Sequence, residues 1–385
     1  MPYFDHNATT PLAPAARAAW LRASDEAWAN PSSPYRISAR VHRLLDGARE
    51  SIAALVGGSA EQILFTSGAT EANNAVIRWV AGLDAGDRPR RALVSATEHP
   101  SVLAPARAAF GSALDVCAVD GEGRIDPDAL QRSEAAFVGV MAANNETGVL
   151  GPIDALSGLA RSGRAWVLCD AVQWLGRLPA AALPSGAFLV GSAHKFGGPK
   201  GVGFLRVPRA ALEAGFRAQL GGEQEGGRRA GTENYPAIAS MLAALESAAA
   251  SIKETEERRR WRSAFIETIT RRIPGARVHA AAAPCLWNTV SLRLPAHENT
   301  RWVVRLDKLG FEVSTGSACA TGSTAPSHVL AAMGLTPEEA RRTIRISSGW
   351  DTREREWQSL ADAIVNVWEQ LELDSMGETG GVIRL

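Results

Sequence analysis

Between residues 63 and 207 of this chain, short continuous apolar runs alternate with longer amphipathic stretches. The runs at 63–66, 91–95, 114–119, 136–142, 165–170, 187–191 and 202–207 are too short and too evenly apolar for surface helices, and they read as buried strands. Strands separated by helical stretches predict an α/β fold whose large domain holds a mostly parallel seven-stranded sheet with helices on both faces. Beyond Pro236 a helical stretch runs through a charged segment to about Arg272, and strand-like runs follow at 287–294, 311–315 and 343–347. That second pattern predicts a smaller α+β domain. The expected division is a large domain over residues 15–250 and a small C-terminal domain over 251–385.

Composition agrees with two cores. The chain has 385 residues, 46% of them hydrophobic and 11 of them tryptophan, which is ample apolar volume for both. Lys+Arg and Asp+Glu number 41 each, so no global charge draws the chain to nucleic acid or an anionic membrane. The densest charge run, residues 253–262, mixes both signs on a helical pattern and is expected to be a solvated face. Four cysteines without a CxxC pair give no zinc or disulfide signal and fit a reducing compartment; no metal is implied. Met1-Pro2-Tyr3-Phe4-Asp5 lacks the basic start and apolar core of a signal peptide, and no stretch of about 20 apolar residues is evident, so a cytoplasmic protein is expected.

Three segments carry candidate chemistry. Ser192-Ala193-His194-Lys195 leads into Phe196-Gly197-Gly198-Pro199-Lys200-Gly201 and offers an amine able to form an imine with an aldehyde. Alone it reads first as a glycine-rich turn between strands. Upstream, the apolar run Trp166-Val167-Leu168-Cys169 ends in Asp170, a carboxylate at a strand C-terminus, where open α/β sheets bind ligands. Its plain alternative is a helix N-cap. The third segment, Ile63 to Asn74, is a strand, a small-residue turn and a helix start in which Ala69 and Thr70 offer free N–H groups and a hydroxyl to an anion. A lysine, a carboxylate for a pyridine nitrogen and a phosphate cradle together specify pyridoxal 5'-phosphate (PLP).

Further motifs extend this order along the chain: Tyr3-Phe4-Asp5-His6-Asn7-Ala8-Thr9-Thr10-Pro11, Asn30-Pro31-Ser32-Ser33, Thr97-Glu98-His99, Asn144-Asn145-Glu146-Thr147-Gly148, Arg229-Ala230-Gly231-Thr232-Glu233-Asn234, Ser317-Ala318-Cys319 and Arg345. With these the chain resembles, over nearly its whole length, the class-V, fold-type I PLP enzymes, and among them the cysteine desulfurases of the NifS/IscS kind. The resemblance implies that Lys195 binds the cofactor, that His99 lies over its ring and that Asp170 pairs with the ring nitrogen. It gives Gln173 and Asn145 to the phenolic oxygen and the substrate, and Thr70, Ser192 and His194 to the phosphate. Thr232 would reach the same phosphate from a partner subunit, making a homodimer necessary, and Arg345 would take the substrate carboxylate through a fork. It also places residues 1–14 with the small domain. Read without the family, His99 is a loop histidine beside Pro100, and Arg345 is an arginine on a strand face.

Cys319 decides between reactions. It lies in a run of small and hydroxylated residues, 314–327, with no apolar periodicity, which reads as an exposed loop where a thiol ionises. The resemblance implies that its thiolate takes the sulfur of L-cysteine as a persulfide, releases alanine, and hands the sulfur to an acceptor protein serving iron–sulfur clusters, thio-cofactors or tRNA thiolation. Cys117 and Cys169 read as buried small hydrophobes, and Cys285 as partly exposed. Two other readings remain open at this level: a selenocysteine lyase or related class-V lyase, and a PLP-binding sulfur-transfer scaffold without turnover. The sequence departs from the family in Ser-Ala-His-Lys for Ser-Gly-His-Lys and in residues 371–385, which lack the longer tail of scaffold-docking members and, being glycine-rich, are expected to be disordered.

Overall fold

The structure is a computed structural model that describes residues 2–83, 91–316 and 327–379. Its centre is a sheet of β1 (Ile63–Thr66), β2 (Ala92–Ser95), β3 (Leu114–Cys117), β4 (Phe137–Gly139), β5 (Trp166–Asp170), β6 (Phe188–Ser192) and β7 (Gly203–Arg206). Across the sheet the order is β1-β7-β6-β5-β4-β2-β3, and β7 alone runs against its neighbours. Each strand overlaps one of the apolar runs. The reason is visible in burial: β1, β2, β4, β6 and β7 are buried at every position, whereas the edge strand β3 exposes Asp115 and Val116.

Helices cover both faces. On one, α1 (Pro14–Glu26) and α2 (Arg36–Val56) pack with the Tyr235–Ala250 helix, burying Val41, Leu45, Ile52 and Met241. On the other, α3 (Ala69–Ala81) and α4 (Pro100–Phe110) bury Val76, Ile77, Val80 and Val102. By length and composition alone the helical region Tyr235–Arg272 could cross a bilayer, a test that a core helix also passes. Its apolar part, the Tyr235–Ala250 helix, spends Ala237, Ile238, Ala244 and Leu245 on the core beneath α1 and α2.

A second, antiparallel sheet has the order β10-β9-β8, with β8 Arg277–Val278, β9 Thr289–Arg293 and β10 Thr343–Ser347. Phe265, Leu292, Trp302, Ile344, Trp357 and Leu360 form its core. The run 311–315, expected as a strand, makes only isolated bridges, Tyr3 to Glu312 and Ser314 to Arg345, because a single residue at a time comes alongside its neighbours. The charge run 253–262 is not wholly solvated. Arg258 is buried over the Trp287 ring, and Arg262 Nε donates to the Thr289 carbonyl at 2.6 Å. Residues 371–379, expected to be disordered, continue the helix Glu354–Thr379.

The N-terminal segment crosses between the two cores. Phe4 is buried in the second core and Ala13 and Ala16 in the first; between them Thr10 N–H donates to the His194 carbonyl and Ala13 N–H to that of Gly197, each at 2.8 Å. His6 is fully buried on this path, with its ring against Gly349, where no side chain fits. Burial, then the positive charge of Arg177, pushes its imidazole down to about 3. It is therefore neutral, and Asp351 at 3.4 Å is no ion-pair partner at neutral pH.

The linkage has a definite sign: the unfolded chain protonates His6 near 6.5 and the folded chain near 3, so the stabilisation is full above 6.5 and is lost as pH falls toward 3. The slope from His6 alone is about 1.4 kcal/mol per pH unit below its unfolded value. Urea unfolding is expected to have a lower midpoint at pH 5 than at pH 7, with a smaller drop in His6→Gln; equal midpoints would contradict it.

Candidate active site

The carboxyl ends of the parallel strands open onto one cleft of about 690 Å³. At one end β1 turns through Ser67 and Gly68 into α3. Gly68 has φ +148°, which favours glycine, and a Cβ on Gly203, at the start of β7, would stand 2.8 Å from the Gly68 Cα, so two glycines let the turn pass over the sheet. No side chain caps α3, and Glu71 Oε2 accepts from the Ser67 N–H at 2.8 Å instead. Ala69 and Thr70 at the helix start, Ser192 at the end of β6 and His194 all line this end of the cleft. Burial, then Lys195 and Lys200, pushes His194 down to about 4, leaving it a neutral hydrogen-bonding group beside the Thr9 hydroxyl at 3.1 Å. An uncapped helix start, a serine and a neutral imidazole suit a phosphate.

In the middle of the cleft Asp170 closes β5 and is buried. Its Oδ1 accepts from the Val172 N–H at 3.0 Å, a helix-cap-like contact made while the residue lines the cleft. Its Oδ2 accepts from Asn73 Nδ2 at 3.0 Å, and the same Asn73 amide donates to Ser101 Oγ, also at 3.0 Å. Ser101 then meets His99 Nδ1 with its hydroxyl at 2.8 Å and its N–H at 3.1 Å. The backbone N–H is an obligate donor, so Nδ1 accepts and the neutral ring carries its proton on Nε2. Burial, opposed by Asp170 and aided by Lys195 and His328, lowers the His99 pKa. His99 also caps α4, so it is fixed by a helix start and is not a free loop histidine.

Lys195 sits in the short turn Ala193–Lys195 after β6, and its Nζ donates to the carbonyls of Asn7 and Ala8 at 2.5 and 2.7 Å. Gln173 Nε2 donates to the same Asn7 carbonyl at 3.0 Å, while its buried Oε1 has no partner among the described residues. Asn145 lines the cleft, and its carbonyl accepts from Asn7 Nδ2 at 3.1 Å and from Arg345 Nη1 at 3.2 Å. Arg345, from β10, is buried and reaches the cleft from the second sheet.

Ten of the twelve sequence candidates therefore share this cleft. Thr232 does not line it and is exposed. Cys319 lies outside the described residues, although Ser327 and His328, which follow that segment, line the cleft; Ser327 Oγ donates to the Glu146 carboxylate at 2.5 Å and His328 Nε2 to the Glu98 carbonyl at 2.8 Å. Cys117 and Cys169 are buried, Cys285 is half-buried, and burial raises the pKa of all three thiols.

Sequence reasoning missed three supporting residues. Asn7 binds Asn145, Thr289, Asn288 and Arg177 through its amide. Asn73 ties Asp170 to His99. Glu98, wholly buried, accepts from the Met141 N–H at 2.7 Å, and burial, then Asp170, raises its pKa well above the usual range.

Residues 2–360 match the model of the family described as Aminotransferase class-V. The chain belongs to the class-V aminotransferase family. A cysteine desulfurase of Frankia sp. is 40% identical over 384 residues, covering 94% of this chain and 90% of that protein. Among solved structures, a NifS-like protein superposes with TM-score 0.84 at 28% identity, covering 96% of this chain and 99% of that one. SspA in complex with cysteine superposes with TM-score 0.75 at 27% identity, covering 90% and 99%. Within the class-V family the chain thus groups with the cysteine desulfurases, and its large sheet is that of NifS-like, fold-type I structures.

Proposed function

We propose that this protein is a PLP-dependent L-cysteine desulfurase that converts L-cysteine to L-alanine and places the sulfur on Cys319 as a persulfide for an acceptor protein. The observation that carries the reading is the convergence of Lys195, Asp170, the start of α3 and Arg345 on one cleft. The cysteine desulfurase relative and the cysteine-bound SspA neighbour support the same substrate. When bound, PLP supplies an aldehyde and an electron-withdrawing pyridine ring.

The chain's own residues do the rest. Ala69, Thr70, Ser192 and His194 hold the phosphate, and Thr232 of a second subunit completes that hold in a homodimer. Asp170 takes the ring nitrogen, kept in place by Asn73 and the Val172 N–H. Gln173, whose Nε2 donates to the Asn7 carbonyl here, would turn that donor to the phenolic oxygen of the ring. His99 holds a proton on Nε2 above the site, and Arg345 orients the substrate carboxylate. Lys195, held here by the Asn7 and Ala8 carbonyls, would bind the cofactor through its amine and move the substrate's Cα proton. At Cys319 the balance is one thiol plus one cysteine giving one persulfide plus one alanine, with the new S–S bond replacing the substrate's C–S bond. We place this work in the cytoplasm, with the sulfur destined for iron–sulfur clusters, thio-cofactors or tRNA thiolation.

Lys200 also lines the cleft, so the identity of the binding lysine is testable. Borohydride reduction of the PLP-loaded protein followed by peptide mass analysis is expected to mark Lys195 alone. A mark on Lys200, or none, would refute the assignment.

A further inference from the structure

Arg345 is only 1% exposed, yet it is already paired before any substrate arrives. Its Nη2 donates to Asp5 Oδ1 at 2.6 Å and its Nη1 to the Asn145 carbonyl at 3.2 Å. The two partners differ in kind. Asn145 and Arg345 line the cleft, whereas Asp5 does not, so the carboxylate stands behind the guanidinium. Asp5 is also held firmly. It bridges to Ser347 on β10, and its carbonyl accepts from the Tyr3 hydroxyl at 3.0 Å and the Ala8 N–H at 3.0 Å. The same N-terminal segment gives the Asn7 and Ala8 carbonyls to Lys195 two and three residues later.

A buried arginine without a counter-charge would be costly, and one with a fixed carboxylate behind it is nearly neutralised. An incoming carboxylate then meets an oriented fork with little net positive charge. Its binding depends on the geometry of two N–H groups more than on long-range attraction, and the like charge of Asp5 opposes it. We propose that Asp5 is a positioning residue for Arg345 that orients the fork and at the same time weakens its hold on carboxylates, so that substrate and amino-acid product both bind loosely. This rests on the reading of Arg345 as the carboxylate site.

The test compares KM for L-cysteine with KM for L-cysteine methyl ester, which lacks the negative charge, in PLP-loaded enzyme. KM does not depend on the fraction of folded enzyme, so partial loss of protein does not disturb it. Arg345→Gln should raise KM for L-cysteine and leave that for the ester; if it moves both or neither, the Arg345 reading itself fails. With that reading upheld, Asp5→Asn retains an oxygen to accept from Nη2 and removes the charge. It is expected to lower KM for L-cysteine, and the inhibition constant of L-alanine, by about three- to tenfold, the range for one like charge near a solvated cleft, with the ester unchanged. Asp5→Ala, which removes the holder as well, is expected to raise KM for L-cysteine. An Asp5→Asn enzyme whose KM for L-cysteine is unchanged or raised, or whose ester KM falls equally, would overturn the proposal.

Discussion

Lys195→Ala is expected to lower alanine formation from L-cysteine by about 10²–10⁴-fold or more, because the role proposed for the side chain is both to bind the cofactor and to move the Cα proton. The fold should tolerate the change. Lys195 donates to the Asn7 and Ala8 carbonyls beside the cleft, and the turn that carries it is fixed by backbone bonds such as Phe196 N–H to the Ala193 carbonyl at 3.1 Å. Rate should therefore collapse while the thermal midpoint of the cofactor-free protein shifts little. A rate within tenfold of wild type, or rescue of the function by Lys200, would remove Lys195 from its role.

Asp170→Asn is the second large effect. The amide cannot hold a pyridine nitrogen in its protonated form, and loss of that electrostatic support is expected to cost about 10²–10³-fold in rate. The structure adds a secondary consequence. Asn73 donates one amide hydrogen to Asp170 and the other to the Ser101 hydroxyl, which meets His99 Nδ1, so an asparagine at 170 disturbs the His99 side of the site as well. Asn73→Ala, which leaves Asp170 present, should accordingly change the pH dependence of the rate on the acid side, where His99 takes up a second proton. An unchanged pH profile in Asn73→Ala would break the proposed link.

The fold was legible because its strands are buried on both faces. A strand such as Phe188–Ser192 has no polar side to dilute its apolar run, so it stands out against the helices that follow. The pattern misled at 311–315, where the strand-like Phe311-Glu312-Val313-Ser314-Thr315 forms bridges and no strand, and at Arg258, a charged residue that is buried with its guanidinium over Trp287. The candidate residues that line the cleft were legible because they cluster at strand ends and in short motifs. Their supports were not. Asn73 and Asp170 are 97 residues apart, and Asp5 and Arg345 are 340 apart, so no local pattern announces that one holds the other. Thr232 remains assigned by family resemblance to a second subunit, and Cys319 by its motif.

The central claim is that sulfur leaves L-cysteine through Cys319. The measurement that tests it most directly is alanine formed from L-cysteine by PLP-loaded protein with a thiol reductant present, comparing wild type with Cys319→Ala at equal cofactor occupancy. The account predicts turnover in wild type and none above background in the variant; no alanine from either protein, or full activity in Cys319→Ala, would contradict it.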